Sequence, residues 1–328
     1  MTLLDSDTEF FARELDSFVP QRIFDAHVHL YRRVFFGDGA APDLVQQFPD
    51  IDFLAFQRMI GEVTPGRSTS GLFFGYPDVS VDLKENNRFV AQQVRFDPNS
   101  RGQMLIRPGM DPEYVRETVR RDAFVGLKCY HVYSSQEPTF DSPIWAYLPE
   151  EHVRIAHEEG LSITLHMVRA RAMADPQNQE TIRSWATKYP NARFILAHAA
   201  RGFNPYHTIQ GIGSLRGLRN VWCDTSAVTE SGAFEAIVRT LGVDRLLYGG
   251  DLPVTHLRGR CVAIGDSFLW LSENNTQFGA DYANIRPSLI GHESLRILKL
   301  ACWNLALSDS DVEQIFFGNA AELYGLRE

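Results

Sequence analysis

From residue 22 onward the chain alternates short apolar runs with longer stretches of helical periodicity. Apolar runs of about four to eight residues bounded by turn residues read as strands, and apolar positions recurring at a period near 3.6 read as helices. The pattern predicts strands at 22–30, 70–77, 102–107, 124–131, 162–168, 193–199, 221–226 and 245–251. Helical pattern falls between them at 82–96, 112–121, 144–159, 177–189, 205–216 and 231–241. Eight strands, each followed by helical or connecting sequence, predict an α/β fold with a parallel sheet, which closes into a (β/α)8 barrel more readily than it stays open. No Pro-, Gly- or Ser-rich linker divides the chain, so one domain is expected.

Two stretches interrupt the alternation, near 31–69 and 253–288. The second is too long for a turn and reads either as a lid over the site or as a peripheral decoration. Residues 1–21 form a separate helical extension, with Ser6 and Glu9 spaced as a capping box. Gly211, Gly213 and Gly217 have the wrong spacing for a dinucleotide loop and read as a turn.

The formal charge of −9 argues against a nucleic-acid binder, because phosphate neutralisation needs clustered Lys and Arg. Cys129, Cys223, Cys261 and Cys302 lie far apart and fit reduced, mostly buried thiols. The first 19 residues lack the basic start and apolar block of a secretory signal, and no run approaches the roughly 20 apolar residues that span a bilayer. A soluble, cytoplasmic protein with no membrane partner is expected.

Candidate chemistry sits at the C-terminal strand ends, where a barrel builds its active site. Asp25-Ala-His-Val-His29 ends the first strand, and strand alternation puts Asp25, His27 and His29 on one side with Phe24, Ala26 and Val28 on the other. His166, His198 and Asp251 end the fifth, sixth and eighth strands, and Gly249 and Gly250 leave room beside that carboxylate. Four histidines and a carboxylate at one rim imply a divalent metal. Zinc suits these ligands, while manganese and iron remain open by ligand type. His27, His29 and His166 are the expected ligands, with Asp251 on the metal or its water and able to act as general base. His198 then orients substrate or water, or is itself a ligand.

These residues resemble the amidohydrolase superfamily, most closely the amidohydrolase-2 branch that includes aminocarboxymuconate-semialdehyde decarboxylase. The resemblance rests on Asp25-Ala-His-Val-His29, Gly126-Leu-Lys128, Ile163-Thr-Leu-His166, the run 188–198, the run 220–226, Arg245-Leu-Leu-Tyr-Gly-Gly-Asp251 and the run 318–326. It implies a distorted (β/α)8 TIM barrel, usually with one divalent ion held by His27, His29, His166 and Asp251. By the same resemblance a homodimer is expected. Tyr130 and then His131 stand where relatives with Gly-x-Lys often carry a histidine two places after the lysine.

Lys128 shares a strand face with Tyr130 and reads as a substrate contact, a carbamylated metal bridge or a structural ion pair. Arg169, Arg171, Arg201, Arg258 and Arg260 follow strand ends and suggest a small, anionic, carboxylate-bearing substrate, because Arg pairs bidentately with carboxylates. Arg201, three residues past His198, is the foremost of them. Tyr130, His131, His207 and His256 are expected near the pocket, His152, His157 and His292 on the surface, and Trp145, Trp185 and Trp303 in the outer layer. The function expected is a metal-dependent hydrolase acting on an ester, lactone or amide carbonyl. A decarboxylase or hydratase of an unsaturated or aromatic acid is the alternative lyase, and a non-catalytic binding barrel is a third reading.

Overall fold

The computed structural model describes residues 3–37, 41–272 and 287–327. Eight parallel strands form one sheet in sequence order, as the alternation predicts: β1 (Arg22–His29), β2 (Ser68–Phe74), β3 (Arg101–Leu105), β4 (Gly126–Cys129), β5 (Ser162–Leu165), β6 (Arg193–Leu196), β7 (Val221–Asp224) and β8 (Leu246–Leu247). Backbone hydrogen bonds close β8 onto β1, from Ala26 N–H to Tyr248 O at 2.8 Å and from Asp251 N–H to His27 O at 2.8 Å. The fold is a single-domain (β/α)8 barrel.

Capping marks the helices in the sequence itself. Asp111-Pro112, Asp175-Pro176 and Asn204-Pro205 each open a helix, the side-chain oxygen accepting a free N–H while proline occupies the first turn. The N-terminal helix α1 (Asp5–Phe10) departs from expectation, because its capping residue is Leu4 and Asp7 accepts the Leu4 N–H at 2.8 Å. Ser6 and Glu9 are not the capping pair. Asp7 is also drawn inward, where it forms a buried ion pair with Arg258 at 2.9 Å. This pair pins the extension to a wall of the pocket described below. Asp7→Ala is expected to cost about 3–5 kcal/mol in urea unfolding, the range for removing one partner of a buried pair. A loss below about 1 kcal/mol would show that the extension contributes little.

Strand alternation fails in β1. A bulge between Asp25 and Val28 shifts the register against β2, and one extra residue reverses which side chains face inward beyond it. Phe24 and Ala26 accordingly join Leu72, Phe74, Ile195 and Leu247 in one apolar cluster, which the C-terminal residues Leu323 and Leu326 complete. Val28 and Leu30 join Ile23 in the outer core instead. His27 and His29 keep their shared direction, but Asp25 is used differently from them.

Several helix-borne side chains also move from their expected places. His152 and His292 are buried, each with Nε2 against a backbone carbonyl, so they are not surface residues. Trp303 is 78% exposed rather than packed, and Trp145 is also exposed, while Trp185 packs as expected. All four cysteines are free and buried. Among the described residues, no helix is long and apolar enough to cross a membrane.

Within the 253–288 excursion, residues 273–286 lie outside the described residues. The described part contains an antiparallel hairpin, β9 (Gly259–Ile264) and β10 (Ser267–Ser272). Asn204 holds its tip by donating to Gly265 O and Ser267 O at 3.1 and 2.9 Å, and Thr229 Oγ1 donates to Cys261 O at 2.6 Å. The hairpin is therefore pinned against the strand ends, and its side chains form one wall of the pocket.

Candidate active site

The ladders stop sooner than the apolar runs suggest, at Leu165, Leu196 and Leu247. His166, His198 and Asp251 consequently stand just past their strands, in connections shaped by tertiary contacts. After β6, four consecutive residues that are not glycine, His198 to Arg201, have positive φ of 52–59°. A left-handed conformation costs an L-residue about 1–2 kcal/mol, and such strain persists only where surrounding contacts hold it. Here Asp224 Oδ1 accepts the His198 N–H at 2.8 Å, and Thr208 Oγ1 donates to Ala199 O at 2.9 Å. This turn brings His198 and Arg201 to the same cavity.

His27, His29 and Asp251 each offer a ligand atom, all within 4.8 Å of one another and all buried. Asp251 Oδ1 lies 3.4 Å from His29 Nε2 and 3.6 Å from His27 Nε2. The other ring nitrogens are already engaged, as His27 Nδ1–H donates to Asp224 Oδ2 at 2.9 Å and His29 Nδ1–H to Gly75 O at 3.0 Å. These bonds fix the tautomers and turn both Nε2 lone pairs toward the carboxylate, an arrangement common behind metal-binding histidines. Burial and the nearby Lys128 lower the His27 pKa, burial chiefly lowers that of His29, and neutral rings are what a cation needs. Burial pushes the Asp251 carboxyl up, but the pull of His27, His29 and His198 in their charged forms outweighs this and brings it well below the usual carboxylate range. This donor set fits a divalent ion.

His166 is placed differently from the other expected ligands. Arg201 Nη1 donates to its Nε2 at 3.1 Å, and its Nδ1–H faces His198 Nε2 at 3.0 Å. His198 Nδ1–H in turn donates to Ser226 O at 3.0 Å. Both ring nitrogens of His166 are thus engaged, and it lies outside the His27–His29–Asp251 group. Burial lowers the His198 pKa to about 4, so this chain of imidazoles is neutral.

Asp224, at the end of β7, is the residue sequence reasoning missed. It is fully buried and accepts from His27, from the backbone N–H groups of His198 and Ser226, and from Ser226 Oγ–H. The strand-end rule that selected His166, His198 and Asp251 applies equally to it. Burial raises the Asp224 carboxyl, but His27 and the hydrogen bonds outweigh this and bring it down to about 2. Asp25 binds two strand ends, accepting from His27 N–H at 3.0 Å and Gly250 N–H at 2.7 Å. Burial, with the charges of Asp224 and Asp251, raises its carboxyl to about 7. A methyl group on Gly250 would lie 2.6 Å from Asp25 Oδ2, so glycine is required there by close approach.

Lys128 does not reach the pocket as expected of a substrate contact. It is fully buried beneath it, with Nζ 3.3 Å from His27 Nε2 and 4.5 Å from the centre of the Phe74 ring. Its Cα pairs with Thr164, two residues deeper than Tyr130, which does open to the cavity. Burial lowers the Lys128 amine to about 8. Arg169 is likewise not at the pocket, because its guanidinium pairs with Asp175 at 2.9 Å, the residue that caps the following helix. His207 and His256 are also absent from the lining, with His207 Nε2 2.9 Å from Asp266 and His256 Nε2 3.4 Å from Glu62.

Above the cluster opens a cavity of about 800 Å³, to which Tyr130, His131, His166, His198, Arg201 and Asp251 all contribute. Phe140, Phe203, Phe268 and Trp270 add aromatic walls. Arg201 lies between two of them, its guanidinium carbon 5.9 Å from the Phe140 ring centre and 5.6 Å from that of Phe268. Among the described residues no carboxylate pairs with it.

This barrel, with histidines and an aspartate gathered at its C-terminal rim, has the architecture of a barrel enzyme. The chain belongs to the amidohydrolase family, whose model matches residues 24–326. It is 22% identical over 213 residues to an L-fucono-1,5-lactonase of Burkholderia ambifaria, covering 59% of this chain and 68% of that protein. Among solved structures it is similar to a probable 2-pyrone-4,6-dicarboxylic acid hydrolase from Acinetobacter baumannii with citric acid bound, at a TM-score of 0.59 and 14% identity over 93% and 99% of the two chains. It is also similar to the 5-carboxyvanillate decarboxylase of Sphingomonas paucimobilis, at a TM-score of 0.58 and 13% identity over 94% and 100%.

Proposed function

We propose that the chain is a metal-dependent hydrolase of a small, carboxylate-bearing lactone or ester, with His27, His29 and Asp251 holding one divalent ion. Zinc is the ion proposed, on the nitrogen and carboxylate character of those ligands. Bound there, such an ion supplies positive charge that polarises a carbonyl and makes water more acidic. Asp251, held ionised at the cavity floor, accepts the proton of the attacking water and delivers it to the leaving oxygen. His198 borders the same space and orients the reacting group. Arg201 holds the substrate carboxylate.

The observation that carries this reading is one cavity with a carboxylate among imidazoles at its floor and, on its side, a guanidinium that has no carboxylate partner among the described residues. The lactonase relative supports a lactone over an amide. The alternative is a decarboxylase, which needs an acid that protonates carbon. Turnover in labelled water decides between them. Incorporation of one solvent oxygen into the opened acid is expected, whereas release of carbon dioxide without water addition would replace this reading with the lyase.

Arg201→Ala is expected to raise KM for an anionic substrate by about tenfold or more, the scale of a charge-assisted hydrogen bond, and to leave KM for an uncharged analogue nearly unchanged. Steady-state kinetics on such a pair checks it. Equal effects on both would remove Arg201 from substrate binding.

A further inference from the structure

Two hydroxyls of the cavity wall, those of Tyr76 and Tyr130, have no hydrogen-bond partner among the described residues. The hydroxyl of Tyr133, by contrast, donates to Asp78 O at 3.1 Å. Tyr76 and Tyr130 follow β2 and β4 as Arg201 and Asp251 follow β6 and β8, and alternate strands of a barrel supply side chains at one level. Both tyrosines are held in place. Asn86 Oδ1 accepts the Tyr76 N–H at 3.2 Å, and the Tyr76 ring lies 5.5 Å from that of His29. Tyr130 packs 4.2 Å from the His166 ring and 4.9 Å from that of His131. Burial raises both phenols and the charge of Asp251 adds to this, so both stay protonated and can donate. Tyr76 raises the Tyr130 phenol further, while Arg201 lowers it. Tyr130 is therefore within electrostatic reach of both Asp251 and Arg201.

We propose that the Tyr130 hydroxyl, seconded by that of Tyr76, donates a hydrogen bond to the substrate's carbonyl oxygen as that oxygen gains negative charge. The inference rests on the reading of the site as an ester or lactone hydrolase. A substrate with its carboxylate on Arg201 and its carbonyl facing Asp251 passes Tyr130 between them, which brings the scissile carbonyl beside the phenol. When water adds to the carbonyl carbon, the C=O electron pair moves onto oxygen and the proton of the water goes to Asp251. When the ester C–O bond then breaks, the pair returns to the carbonyl and Asp251 gives that proton to the leaving oxygen. Tyr130 keeps its own proton throughout. A donor already fixed by packing needs no reorganisation as the charge develops.

Tyr130→Phe is expected to lower kcat about 10²-fold, the scale of one oxyanion donor, on 4-nitrophenyl acetate and on mono-4-nitrophenyl succinate alike, with little change in KM. Tyr76→Phe should lower kcat less. Neither substitution removes a hydrogen bond made within the described protein, so thermal melting should be unchanged. In a protein that hydrolyses either ester, an unchanged kcat in Tyr130→Phe overturns the proposal. So does a rise in KM confined to the succinate ester, which would make Tyr130 a ligand of the substrate carboxylate. Calorimetric binding to the metal-loaded protein tests the donor apart from turnover. Tyr130→Phe is expected to weaken 3-phosphonopropionate, whose phosphonate is a tetrahedral anion, by about tenfold or more. Succinamate, with a planar neutral carbonyl in its place, should bind almost as before. An equal effect on the two probes overturns the proposal, as does a parent protein that does not bind 3-phosphonopropionate. The expected split in a protein that hydrolyses no ester or lactone would retain the donor and reject the hydrolase, and hydrolysis without the split would do the reverse.

Discussion

Asp251→Asn is expected to lower kcat by about 10³-fold, within the range contributed by a positioned general base, and to leave the fold intact. Asp251 has φ of 66°, and asparagine tolerates this left-handed conformation better than other residues of its size. The variant therefore keeps the turn and the volume while losing the charge that faces His27 and His29 at 3.6 and 3.4 Å. Stopped assays on lactone or ester substrates measure kcat, metal analysis of the purified variant measures ion retention, and thermal melting checks the fold. Reduced ion content with an unchanged fold is expected. Activity within tenfold of the parent would reject Asp251 as the base.

The second large effect concerns a residue outside the cavity. Asp224→Ala removes the acceptor for the His27 ring, two backbone N–H groups and Ser226 Oγ–H in a fully buried place. Several buried donors then lack partners, and a loss of about 3–5 kcal/mol in urea unfolding is expected. Loss of the His27 tautomer lock should also weaken metal affinity by about 10–100-fold, as removal of such supporting carboxylates does. Asp224→Asn keeps one acceptor oxygen and should fall between. Zinc competition titrations against a chromogenic chelator provide the affinity. A destabilisation below about 1 kcal/mol together with unchanged zinc affinity would falsify the supporting role.

Strain makes these two residues interdependent. Four left-handed residues after β6 are held partly by Asp224, and they position His198 together with Arg201. The unfavourable backbone energy is local, while the contacts that oppose it come from β7 and from the helix after Asn204. A change in Asp224 is thus expected to be felt at Arg201, three residues along the same turn.

Period and strand-end placement made much of this protein legible before any coordinates. Eight apolar runs separated by helical pattern are enough to specify a parallel barrel, because each face must be covered and each crossover returns the chain in one sense. The rule that barrel chemistry gathers at the C-terminal rim selected His27, His29, His166, His198 and Asp251, with Arg201 following the sixth strand, from positions far apart in sequence. The same rule would have selected Asp224 had its carboxylate been weighed with the others.

What pattern could not convey was the identity of each side chain's neighbour. Lys128 and Tyr130 share a strand face, yet one is buried beneath His27 and the other opens to the cavity, because depth along the barrel separates them. Arg169 and Arg201 both follow strand-end histidines closely, but Asp175 engages the first while the second lies between Phe140 and Phe268. The β1 bulge and the left-handed turn are likewise invisible to periodicity, since each is held by hydrogen bonds from distant segments. Sequence by itself determined the barrel and the ring of chemistry-bearing strand ends, because those follow from local period and chain direction. Only the tertiary structure decided which of those residues meet, since hydrogen-bond partners 26 to 225 residues away, such as Asp224 for His198 and Asp25 for Gly250, set the final geometry.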